Sequence, residues 1–152
     1  QAGVRLGREC QFSLDLSGDG GASAGKVLLF ATLDAKKPTM TRADMLARLP
    51  AQYLTGFCAI SAISAHNLTN TELVGKQDPY VVLEFPGSPP WREQTSSQSN
   101  AGSDAHWEDL DFRCEMTRDL LKSQELLVTV YDENQARGDV KIGAGSVTLL
   151  AA

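Results

Sequence analysis

The sequence is poor in cysteine and in long apolar runs, and each shortage excludes something. Three cysteines in 152 residues, Cys10, Cys58 and Cys114, are odd in number and widely spaced. They offer neither a disulfide framework nor a CxxC zinc site, and such usage points to a reducing compartment. No run approaches the roughly 18 apolar residues of a membrane-spanning helix, and the first residues lack the charged-then-apolar pattern of a secretory signal. The 14 Lys and Arg are scattered and outnumbered by 19 Asp and Glu, for a net charge of -5. Without a basic face to neutralise phosphates, nucleic acid is excluded as a partner. What is present, 42% hydrophobic and 22% charged residues, suits one soluble globular domain. The chain starts at Gln1 without Met and is expected to be part of a longer protein.

Period-2 alternation dominates the pattern. Phe12, Leu14 and Leu16 alternate with polar residues over 10–16, and LysValLeuLeuPheAlaThrLeu at 26–33 reads as a second strand. The Gly-rich stretch 17–25 between them predicts a long flexible connection, so residues 8–34 read as a hairpin. Between Pro38 and Pro50 the apolar residues mix helical spacings, giving a linker or short helix near 39–49 within the segment 35–53. From Leu54 on, strands are predicted at about Phe57–Ala65, Asp78–Phe85, Trp91–Ser97, Trp107–Cys114, Leu126–Tyr131 and Gly145–Leu150. Cys58, Ile60 and Ala62 are expected on one face of the first of these, and Leu110, Phe112 and Cys114 on one face of the fourth. Many short strands separated by turns predict an all-β antiparallel sandwich.

The turns of this sandwich are rich in acids. The charge is uneven: residues 1–53 hold 7 basic and 5 acidic groups, leaving 7 basic and 14 acidic in 54–152, a net charge of -7. One turn carries Glu72 and Asp78, another Asp132, Glu133, Asn134 and Asp139. Loops at one end of a sandwich cluster, so two oxygen-rich loops facing each other would suit a hard cation such as calcium. The competing reading is that Asp78 and Asp132 cap turns by accepting backbone hydrogen bonds.

AlaHisAsnLeu (65–68), GlyLysGlnAspProTyrValValLeu (75–83), HisTrpGluAspLeuAspPhe (106–112), LeuLeuValThrValTyrAsp (126–132) and IleGlyAlaGly (142–145) resemble, in order and spacing, a C2 domain. The resemblance covers residues 54–150. It implies an eight-stranded antiparallel β-sandwich that docks on phospholipid membranes through calcium held by loop aspartates, or, in members that have lost those acids, binds proteins or lipids without metal. Carried over position by position, the metal set becomes Glu72, Asp78, Asp132 and Asn134. The fifth position falls on Val140, with Asp139 displaced by one. Fewer charges imply weak calcium binding. Leu73 and Val74 at the tip of the first loop, with Arg137 on the other, are the implied membrane contacts. The lysine-rich strand pair that other members use for phosphoinositides has only Arg92 here.

A C2 domain needs one or two further strands after residue 150. The hairpin 8–34 is expected either to fill those positions, making 1–152 one domain, or to be the tail of a preceding domain. GlyGlyAlaSerAlaGlyLysVal (20–27) imitates a phosphate loop but lacks the magnesium-binding Ser or Thr and precedes a strand, not a helix. AspLeuSerGlyAspGly (15–20) imitates an EF-hand opening, but Lys26 stands where a bidentate Glu is required. His66 and His106 have no nucleophile elbow or HisGluXXHis motif beside them. The expectation is therefore a non-enzymatic docking module of a larger cytoplasmic protein, peripheral on membranes. Its partner is a phospholipid surface with weak or vestigial calcium dependence, or alternatively a protein, alongside the other domains of its parent.

Overall fold

The computed structural model describes residues 9–35, 55–86, 90–117 and 125–149. The expected linker or helix near 39–49 lies outside them. Among the described residues there are nine antiparallel strands: β1 (Glu9–Ser17), β2 (Ser23–Ala35), β3 (Thr55–His66), β4 (Pro79–Phe85), β5 (Trp91–Gln94), β6 (Ala105–Trp107), β7 (Phe112–Thr117), β8 (Glu125–Asp132) and β9 (Val140–Thr148). They run in the order β5-β4-β8-β9-β1-β2-β3-β6, with β7 also paired to β3. A single residue pair, Ser17 opposite Ala144, joins β9 to β1. The order thus folds at that point into two layers, β5-β4-β8-β9 and β1-β2-β3-β6/β7. Because β6 and β7 share one edge of β3, the nine segments occupy eight strand positions, as expected of a C2-type sandwich.

One hydrophobic core lies between the layers. Leu14, Leu16, Val27, Leu29, Leu33, Ile60, Ile63 and Trp107 meet Val81, Leu83, Phe85, Leu126, Val128, Val130 and Ile142 there. Alternation explains these strands, since every second residue of β8 and β4 is buried. At the open end of the layers the Trp91 indole N–H donates to the Arg113 carbonyl of β7 (2.9 Å), tying the two outer strands together.

Three local expectations are corrected. The connection between β1 and β2 is short, because Asp19–Gly21 makes one tight turn and the strand resumes at Ser23 rather than Lys26. Gly20 and Gly21 supply the left-handed angles it needs, with φ of 75° and 79°. Within β3 the inward residues are Cys58 and Ile60 and then Ile63 and Ala65, not Ala62. A bulge at Ser61, where the register with β2 slips between Phe30 and Ala31, reverses the phase. The strand expected over Trp107–Cys114 is likewise broken at Glu108–Asp111. There Asp109 turns to φ 55° and the Leu110 N–H bonds to the Ser61 carbonyl (2.9 Å).

Candidate functional site: three loops at one end of the sandwich

The loops β3–β4 (67–78), β5–β6 (95–104) and β8–β9 (133–139) are bound to one another at one end of the sandwich. Backbone bonds link them: Leu68 N–H to the Ser103 carbonyl (3.0 Å), Gly102 N–H to Gln77 (3.1 Å), and Glu133 N–H to Asp78 (3.0 Å).

Asp132, the last residue of β8, is 1% exposed. Its Oδ1 accepts the Asp78 N–H (2.7 Å) and its Oδ2 accepts the Thr71 hydroxyl (2.7 Å). Gln77, equally buried, accepts the Thr71 N–H (3.2 Å) through Oε1 and donates from Nε2 to the Gly102 carbonyl (3.0 Å). Asp78 in turn accepts the Asn100 N–H (2.6 Å) from the β5–β6 loop. Asn100 holds a positive φ of 57°, which Asn tolerates better than most residues. These side chains satisfy backbone donors that the loops would otherwise leave unpaired.

The outer part of the site is also tied. Asn134 Nδ2 donates to Glu72 Oε1 (3.1 Å), joining the first and third loops. Asn134 Oδ1 accepts the N–H groups of Ala136 and Arg137 (3.1 Å each), shaping the exposed turn that presents Arg137. Asp139 Oδ1 accepts the Asn134 N–H (3.1 Å) and its Oδ2 accepts the Tyr80 hydroxyl (2.7 Å). That phenol bond, followed by the Asn134 N–H, holds the Asp139 carboxyl below its ordinary value. Desolvation first, then the bond to Asp139, pushes the Tyr80 hydroxyl up to about 12. Tyr80 also stacks on Tyr131, with centroids 5.4 Å apart.

Beyond this network Leu73 and Val74 project into solvent at 90% and 89% exposure, the most exposed large apolar side chains among the described residues. Gly75 follows with φ 102°, turning the chain back. Sequence spacing therefore places Asp78 and Asp132 together, and Glu72 against Asn134, while Asp139 bonds to Tyr80 and Val140 is exposed without a ligand atom. It missed Thr71, Gln77 and Asn100. For Gln77 the signal was a long polar residue just before a strand; for Asn100 it was the turn-forming SerAsnAlaGly.

The calcium fit can be judged from the donors. A calcium ion takes six to eight oxygens. Among the described residues no three of His, Cys, Asp and Glu stand close enough to hold a metal ion. In this arrangement oxygens of Asp132, Asp78, Glu72 and Asp139 accept hydrogen bonds from Thr71, Asn100, Asn134 and Tyr80.

A two-layer antiparallel sandwich with its polar loops gathered at one end defines a class of binding modules. The chain belongs to the C2 domain family, whose pattern it matches over residues 56–151. It is 28% identical over 96 residues to synaptotagmin-5 of Arabidopsis thaliana, a match covering 62% of this chain and 16% of that protein. The chain thus spans about a sixth of that relative's length. Among solved structures it resembles the Drosophila RIM C2A domain, with a TM-score of 0.50 and 15% identity over 83% of this chain and 86% of that one. At that identity the likeness concerns the fold alone.

Proposed function

We propose that this chain is a membrane-docking module that enters the headgroup layer of a phospholipid surface through Leu73 and Val74, with weak or vestigial calcium dependence. The observation that carries the proposal is the tip itself: two adjacent apolar side chains, nine-tenths exposed, on a loop whose base is fixed. A loop already ordered loses little entropy on binding, so the apolar burial is not offset by folding of the loop. Calcium dependence is weak because the carboxylates that would hold the ion already accept hydrogen bonds within the protein. An ion would have to displace Thr71 or release Asn134 from Glu72. Arg137, on the facing loop, and Lys76, two residues past the tip, are exposed cations available to a lipid phosphate.

Co-sedimentation with phosphatidylcholine-rich vesicles, in calcium and in chelator, tests this. Binding should agree within about twofold between the two conditions. Replacing both tip residues, Leu73→Ala with Val74→Ala, should weaken it by about tenfold or more, since burying each full side chain is worth roughly 1.5–3 kcal/mol. Unchanged binding in the double variant, or none in the parent, would favour a calcium-independent protein-binding role.

A further inference from the structure

Two of the three cysteines, 56 positions apart in the sequence, lie directly opposite each other across neighbouring strands: Cys58 of β3 is paired with Cys114 of β7. Directly opposed residues of an antiparallel pair point to the same side of the sheet, with Cα atoms about 4.5–5.5 Å apart. That interval lies within the roughly 4.4–6.8 Å spanned by disulfides. Both side chains are buried in the core, and neither is bonded to the other. Cys10 cannot compete for either. It lies on β1 opposite Ala31 of β2, and Ala31 is opposite Ile60 of β3. Two strand spacings of about 4.8 Å each put it beyond the roughly 7 Å limit for bridging.

We propose that Cys58 and Cys114 form an oxidisable dithiol that glutathione disulfide converts to an intramolecular cross-strand disulfide. β7 is an outer strand with β3 as its only ladder partner among the described residues, so local opening of β7 exposes Cys114 first. The Cys114 thiol loses its proton and the thiolate attacks one sulfur of glutathione disulfide, forming a mixed disulfide and releasing one glutathione. When β7 closes again, the Cys58 thiolate attacks the Cys114 sulfur and releases the second glutathione. The balance is two protein thiols and one glutathione disulfide giving one protein disulfide and two glutathiones. Burial pushes the Cys58 thiol up to about 12 and raises that of Cys114 as well, so thiolate is scarce and the exchange is slow. The bond would close a ring from Cys58 to Cys114 that includes the β3–β4 and β5–β6 loops. It would thereby constrain two of the three loops of the docking site in the unfolded chain.

The test incubates the folded chain in oxidising glutathione buffer, blocks remaining thiols with an alkylating agent, and maps digested peptides by mass spectrometry without reduction. The expected product has Cys58 joined to Cys114, Cys10 alkylated, and a thermal midpoint raised by about 5 °C or more, reversed by dithiothreitol. Cys10→Ala should leave the product and the shift unchanged, whereas Cys114→Ala should leave Cys58 as a free thiol carrying no glutathione. The proposal is overturned by three results. These are all three thiols remaining alkylated in the wild type, a link that includes Cys10, and a Cys58–Cys114 link that forms only in denaturant.

Discussion

Asp139 and Tyr80 show how a single displaced residue reassigns a side chain. The family spacing puts a ligand at position 140, and here that position is valine. The acid one residue earlier bonds to a phenol on β4 and to the Asn134 N–H. The two ends of the phenol bond shift in opposite directions. The carboxyl is held below its ordinary 3.8, so its contribution is present above that pH and is lost as the pH falls through the lowered folded value. The hydroxyl is pushed from 10.0 to about 12, so its contribution is complete below pH 10 and is lost as the pH rises towards 12. Tyr80→Phe should therefore return the Asp139 titration towards 3.8 in a carboxylate-observed NMR experiment. An Asp139 titration unmoved by the substitution would mean that the phenol is not its partner in solution. Local spacing could suggest Asp78 and Asp132, because both stand where an alternating run meets a polar turn. It could not suggest that Thr71 would bond to an acid 61 residues away, since that choice depends on how the loops meet.

The strands were legible from alternation, but their interruptions were not, and both interruptions trace to Ser61. The bulge there shifts the inward phase of β3 from Cys58 and Ile60 to Ile63 and Ala65. The outer strand must follow, and it does so by breaking between Trp107 and Phe112, which keeps both Trp107 and Cys114 in the core. The sequence held a trace of this, because Trp107 and Cys114 are an odd number apart and one unbroken strand would have sent them to opposite faces. Where β9 crosses β1, the IleGlyAlaGly motif has a steric cause. A Cβ added at Gly145 would lie 2.7 Å from the Asp15 carbonyl oxygen, and one at Gly143 would lie 2.6 Å from the Ala24 Cβ. The near neighbour at Gly145 is backbone and cannot rotate away. Gly145→Ala should cost about 1–3 kcal/mol in denaturant unfolding, as overpacking typically does. A loss below about 0.5 kcal/mol would show that β1 and β9 separate at little expense.

At the scale of the whole molecule, we propose that β1 and β2 are integral to one folded unit. They sit between β9 and β3 and place Leu14, Leu16, Val27, Leu29 and Leu33 in the common core. Five such side chains at about 1.5–3 kcal/mol each match the roughly 5–15 kcal/mol by which a domain of this size is stable. Deleting residues 1–35 should thus abolish cooperative thermal unfolding, and a deletion variant that still melts sharply would assign the hairpin to another domain. The same whole-chain view governs membrane choice. Residues 54–152 carry 14 acidic and 7 basic groups, and Arg137 stands alone as a basic side chain on the third loop. An anionic bilayer should repel this body while the tip residues attract it, and the two effects differ in range. Apolar insertion acts at contact, whereas repulsion extends over a Debye length of about 30 Å at 0.01 M salt and about 8 Å at 0.15 M. Binding to neutral phosphatidylcholine vesicles should accordingly be insensitive to salt. Binding to vesicles containing phosphatidylserine should be weak at 0.01 M salt and rise several-fold at 0.15 M, the reverse of a basic lipid-binding module. Tighter binding to phosphatidylserine at low salt would place a cationic surface on this protein and remove the tip from its central role.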